Sequence, residues 1–188
     1  MKRYIKSTDN SSLMSKQDIL NNLIALDQKL IENDMTGEVD MFGGAVMCLG
    51  LDARESTHDI DAMFRPKTDI RKLIQEVADE NNLPSDWLND GVKGFISEDG
   101  TFERFGEDIF QNLTVFMASP EYLLAMKCLS CRSLLDSPTE ISDIKFLIKY
   151  LNLTSVEMVE NIILEYYPES RYQPKTHYML MEIFEDDV

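Results

Sequence analysis

The chain has 188 residues, with 34 acidic against 18 basic side chains and a formal charge of −16. That length suits one domain, which buries about 70% of the surface its unfolded chain exposes and needs no disulfide staple. The charge argues against a broad nucleic-acid footprint, because neutralised phosphates supply most of such binding and basic residues gather only around Lys127, Arg132, Lys145 and Lys149.

Residues 1–14 carry Ser7, Thr8, Ser11 and Ser12 among polar neighbours and are expected to form a mobile tail. The start, from Met1 to Asn10, is basic but lacks the apolar core of a signal peptide, so a cytoplasmic location is expected. Ser15 to Asp18 resembles a capping box with Asp in place of Glu, and Ile19, Leu20, Leu23, Ile24, Ala25 and Leu30 supply a helical stripe to about Asn33. A short strand then leads into Gly43.

The segment from Met41 to Asp61 carries the chemistry. Gly43 and Gly44 allow positive φ and close approach of a ligand to the backbone, and the run from Ala45 to Leu49 behind them reads as a short helix. If Asp59 to Phe64 is a strand, its period of two puts Asp59, Asp61 and Met63 on one face and Ile60, Ala62 and Phe64 on the other. Two carboxylates roughly 6–7 Å apart at Cα can converge on a pair of divalent cations about 3.5–4 Å apart. Ser56 and Thr57 add hydroxyls beside them, completing a phosphate cradle ahead of a metal-binding strand. The alternative is that an acidic chain yields Asp-x-Asp without function.

After Pro66 and Thr68 an amphipathic helix carries Ile70, Leu73, Ile74 and Val77. Leu83 to Leu88 suggests a second short helix with Pro84 near its first turn and Trp87 as a core anchor. Residues 92–96 and 113–117 read as strands extending the sheet, with a polar stretch between them. From Ser119 the pattern is helical: 120–132, 138–151, 155–165 and about 174–185. No apolar run reaches the roughly 18 residues of a membrane span. Cys48, Cys128 and Cys131 are read as buried helical thiols, since no second Cys or His pair completes a zinc site. His58 is expected beside the carboxylates rather than as a metal ligand.

The order Gly43-Gly44, short helix, Asp59-x-Asp61 resembles the nucleotidyltransferase superfamily of the DNA polymerase β type, with small bacterial members related to the AbiEii-type toxin nucleotidyltransferases looking closest. Arg54, Ser56, Thr57, Lys127, Arg132 and Asp143 also match, within a likeness spanning about residues 36–150. The resemblance implies an α/β (α+β) fold: a small mixed sheet flanked by helices over residues 15–118, followed by a C-terminal helical bundle over 119–188 packed on that core. It implies Mg2+ or Mn2+ on Asp59 and Asp61, and a nucleoside triphosphate held by Gly43, Gly44, Arg54, Ser56, Thr57 and Lys127. Arg132 and Asp143 would support the site, although an ion pair between helices explains them equally well. The acceptor could be RNA, a protein side chain or a small molecule, and a cognate antitoxin or basic partner protein is expected from resemblance alone.

One departure stands out. Active members place a third carboxylate on a neighbouring strand, and the strand candidate over 112–117 holds none; Glu107, Asp108 or Glu121 would have to reach in from its ends. The rival expectation is therefore a catalytically degenerate member acting as a binding or regulatory partner.

Overall fold

A computed structural model describes residues 13–131 and 138–185. The first helix, α1 (Lys16–Glu32), starts at the expected capping box: Ser15 accepts from the Asp18 amide, and the Asp18 carboxylate accepts from the Ser15 amide at 2.9 Å. Asp serves in place of Glu here because its shorter side chain still reaches the Ser15 amide. Of the segment read as a tail, residues 1–12 lie outside the described residues. Met14 is buried in β1 (Met14–Ser15), paired antiparallel with β3 (Ser56–Thr57).

The main sheet is mixed, in the order β5 (Leu88–Asn89), β4 (Ile60–Arg65), β2 (Gly37–Met41), β7 (Leu113–Ala118), β6 (Phe102–Phe105). The central strand β2 runs antiparallel to β4 and parallel to β7. Alternation decides the two faces. Val39 and Met41, Ile60, Ala62 and Phe64, and Leu113, Val115 and Met117 are buried on one side. Helices α1 and α3 (Lys67–Asn81) close over that side so tightly that a Cβ on Gly37 would lie 2.9 Å from both Leu30 and Ile70. The opposite side carries Asp61, Met63 and Arg65 of β4, and Glu38 and Asp40 of β2, of which only Asp40 is buried.

A buried carboxylate fixes the start of β7. Asp27 of α1 accepts hydrogen bonds from the amides of Gln111, Asn112 and Leu113 at 3.0, 2.7 and 2.6 Å. The chain between β2 and β4 forms α2 (Gly43–Leu49), and the C-terminal part forms α4 (Pro120–Ser130), α5 (Pro138–Tyr150), α6 (Val156–Tyr166) and α7 (Pro174–Glu185). Ser119 caps α4 with Pro120 at its first position. Apolar packing is continuous from the sheet into these helices through Tyr122, Leu123, Leu124 and Ile144. Among the described residues no helix is long and apolar enough to cross a membrane.

Three local expectations are corrected. Residues 83–88 form no helix: Asn82 adopts a left-handed conformation that stops α3, and the Trp87 carbonyl accepts the Ile60 amide at 2.7 Å, drawing the chain into β5. Trp87 itself is fully buried, with its indole N–H donated to the Ile74 carbonyl. Residues 91–95 form a 3-10 helix rather than a strand, because the Asn89 side chain accepts the Gly91 amide and the Phe95 carbonyl accepts the Tyr167 hydroxyl. The polar stretch after it contains β6, an edge strand whose Phe102, Glu103 and Arg104 are exposed and so leave no burial pattern in the sequence.

Candidate active site

The Asp-x-Asp alternation holds in the structure. Ile60, Ala62 and Phe64 enter the core while Asp61 and Met63 stay half-buried on the open face, with Asp59 just ahead of the strand. The Phe42 amide donates to the Asp61 carbonyl at 2.9 Å, so the chain leaves β2 in register with β4 and turns at once into α2. Gly43 makes that turn with φ +61°, a region that a side chain adopts only under strain, and a Cβ there would stand 2.9 Å from Asp61 Oδ2. At Gly44 a Cβ would meet Thr57 Oγ1 at 2.5 Å and Arg54 Nη1 at 2.8 Å. The two glycines are thus the surface against which the acid and the polar side chains pack.

Asn89 is the residue beside Asp61 on β5. Its amide nitrogen donates to Asp59 Oδ2 at 2.9 Å and its carbonyl accepts the Gly91 amide at 2.8 Å, so the side chain links the acid pair to the 3-10 helix. The expected third carboxylate is absent from this place. The strand over 112–117 is separated from β4 by β2, and β5 puts an amide next to the acids instead.

Burial pushes both carboxyls up from the ordinary carboxylate range. For Asp59 the Asn89 hydrogen bond opposes that shift; for Asp61 the Asp59 charge adds to it and Lys127 opposes it. Across the cavity, Arg54 gives two hydrogen bonds to Asp143, with Nε to Oδ1 at 2.7 Å, and Lys127 Nζ lies 2.6 Å from Asp143 Oδ2. Asp143 is almost wholly enclosed and Lys127 nearly so, so one buried carboxylate holds two cations in place.

These groups surround a cavity of about 440 Å³. Gly43, Gly44, Arg54, Thr57, Asp59, Asp61 and Lys127 all line it, joined by Phe42, His58, Gly91, Val92, Phe95, Thr139 and Glu140. Ser56 does not; it borders the neighbouring groove with Asp143, because alternation in β3 turns Thr57 inward. Arg132 lies outside the described residues. Glu107, Asp108 and Glu121 are not in the lining. Sequence reasoning missed Asn89 and the 3-10 helix, whose only local signal was the Asn-Asp-Gly turn at 89–91. All three cysteines are buried, and burial pushes the Cys128 thiol well up, as inert core thiols require.

A hard divalent cation suits this donor set. Two half-buried carboxylates that repel one another lose that penalty when a cation sits between them, and Mg2+ is commonly held by one or two carboxylates together with substrate phosphates. Among the described residues no group of three His, Cys, Asp or Glu is placed to hold a metal.

No curated protein and no solved structure matches the chain. A family model does match, over residues 20–185, and that span runs from α1 to the end of α7, taking in every element that builds the cavity. The chain belongs to the family described as nucleotidyltransferase of unknown function (DUF6036).

Proposed function

We propose that this protein transfers a nucleoside monophosphate from a nucleoside triphosphate to an acceptor hydroxyl, in the manner of the polymerase β type enzymes that its Gly-Gly and Asp-x-Asp order resembles. The observation that carries the reading is the contact of the Gly43 turn with Asp61, which sets one of the paired acids directly against glycine backbone in the wall of one cavity. Family membership supports nucleotidyl transfer in general.

In this reading Asp59 and Asp61 hold Mg2+ or Mn2+, which when bound neutralises charge on the transferring phosphoryl group. Asn89 orients Asp59 by its hydrogen bond. Backbone at Gly43 and Gly44 approaches the phosphates without hindrance from a Cβ, with the Thr57 hydroxyl beside it. Arg54 and Lys127, pre-positioned by Asp143, stabilise the negative charge of the leaving pyrophosphate. The acceptor oxygen bonds to the α-phosphorus as the bond to the bridging oxygen breaks; pyrophosphate leaves and the hydroxyl proton passes to water. The resemblance to toxin nucleotidyltransferases, together with the charge of −16, accords with a basic cognate partner.

The second reading, a degenerate member that binds nucleotide or a partner without turnover, is favoured by one observation: Asn89 stands where a third carboxylate would complete the acid set. Thermal unfolding separates the two at the level of the site. With a nucleoside triphosphate and Mg2+ or Mn2+ at about a hundred times the dissociation constant, binding adds about 2.7 kcal/mol, raising the midpoint by about 5–10 °C. The rise is expected to need the metal and to vanish in the Asp59→Asn/Asp61→Asn variant, each protein compared with its own ligand-free form. No rise with any nucleotide sinks the nucleotide-site reading and leaves partner binding.

A further inference from the structure

Apart from the one basic region expected around Lys127, the fold makes a second: next to cavity-lining Gly91, three cations share one carboxylate oxygen. Arg71 Nη2 lies 2.5 Å and Lys67 Nζ 3.4 Å from Asp90 Oδ2, and Lys93 Nζ contacts the same atom. One negative charge faces three positive ones, so the cluster carries an excess of two in a chain whose total is −16. The excess is held by the fold. Arg71 also lies over the Phe64 ring, 5.6 Å from its centroid, Lys67 opens α3, and Lys93 rides on the 3-10 helix. All three side chains are exposed. The cluster fastens β5 to α3 and leaves two positive charges without a carboxylate, on side chains that solvent reaches.

Its place gives an anion held there a role. Asp90 stands between Asn89, which holds Asp59, and Gly91, where a Cβ would be 3.9 Å from Asp61 Oδ1. In the 3-10 helix, Val92 and Phe95 share one side, as residues three apart do, and line the cavity; Lys93 is turned off that side toward Asp90. The positive cluster and the acid pair therefore lie on two sides of a single turn of chain. We propose that Lys67, Arg71 and Lys93 form a phosphate-binding subsite that holds a phosphate group carried by the acceptor while the acceptor hydroxyl enters the cavity. This rests on the nucleotidyl-transfer reading for the word acceptor; the anion site itself does not.

The test therefore uses the full chain without nucleotide or metal. Two probes are titrated: a fluorescent single-stranded oligoribonucleotide of mixed sequence, and inorganic phosphate. Lys67→Ala/Arg71→Ala/Lys93→Ala is expected to weaken the probe that binds by at least about tenfold and to flatten its salt dependence. Asp90→Asn is expected to tighten it severalfold, by freeing the three cations from their internal partner. Lys175→Ala, an exposed cation on α7 away from both sites, should leave the oligonucleotide constant unchanged. Circular dichroism melts establish that each variant is folded, and Lys93→Glu serves in place of the triple variant if that one is not. Oligonucleotide binding with this pattern assigns the phosphate to a nucleic-acid acceptor; the pattern with inorganic phosphate alone assigns it to a small phosphorylated one. The proposal is overturned if neither probe binds, or if binding ignores the triple substitution or fails to tighten in Asp90→Asn.

Discussion

Asp143 and Arg54, 89 positions apart in the chain, meet through two hydrogen bonds behind the cavity, with Nε to Oδ1 at 2.7 Å. Lys127 joins the same carboxylate from α4. Removing the acid leaves two enclosed cations facing each other. Asp143→Ala is expected to cost about 3 kcal/mol, lowering the unfolding midpoint by about 6–12 °C. Arg54→Lys keeps the charge but loses the planar fork, so the ligand-free protein should melt somewhat lower and the nucleotide-induced rise, read against the variant's own baseline, should shrink. A lower ligand-free midpoint in Arg54→Lys with an undiminished nucleotide-induced rise would assign the pair to stability alone.

The glycines give a paired test. Gly43→Ala meets both a positive φ and Asp61 Oδ2 at 2.9 Å, and the left-handed conformation alone costs an L-residue about 1–2 kcal/mol. Gly94→Ala meets nothing within 4 Å and should stay within about 0.5 kcal/mol of wild type. Chemical denaturation of both variants measures the difference directly. Nucleotide response is expected to disappear only in Gly43→Ala.

Asn89 invites the substitution that the sheet register suggests. Asn89→Asp would put a third carboxylate against Asp59 and Asp61, raising repulsion without a cation and attraction with one. The ligand-free variant should melt below wild type, and its gain in midpoint on adding Mn2+ should exceed that of wild type. A variant that melts lower and gains no more with Mn2+ would argue against a cation at the acid pair.

Asp27 supplies a test of the scaffold. Its carboxylate accepts three backbone amides at the entry to β7. Asp27→Ala leaves them without that partner and should cost at least about 3 kcal/mol. Hydrogen exchange should speed first at Gln111, Asn112 and Leu113. Protection unchanged at those amides would mean that neighbouring groups replace the carboxylate.

Asp90 gives the pH dependence. Lys93 foremost, then Arg71 and Lys67, hold its carboxyl down to about 2, against an ordinary 3.8. A folded-state value below the unfolded one contributes stability above the unfolded value, and that contribution is lost as pH falls from 3.8 toward 2. The stability gap between wild type and Asp90→Asn is therefore expected to be constant from pH 7 to about 4.5 and to close below that. Guanidinium titrations across that range read it, and a gap that closes near neutrality would point to another group.

Local sequence determined a good deal of this protein. The capping box at Ser15, the alternation from Asp59 to Phe64 and the helical stripes of α1 and α3 follow from nearest-neighbour rules, because burial on one face imposes its period on the residues that meet it. The glycine turn and the acid pair were legible for the same reason, lying within one short stretch of chain. Tertiary structure decided what needs a partner from elsewhere. The 3-10 helix at 91–95 and the exposed edge β6 have no period to read; their backbone groups are satisfied by Tyr167 and by β7. The choice of Asn89 as neighbour to Asp61, of Thr57 over Ser56 for the cavity, and of Asp143 as holder of both Arg54 and Lys127 came only with strand order and helix packing. Sequence fixes which groups a chain can offer, and long-range packing fixes which of them meet.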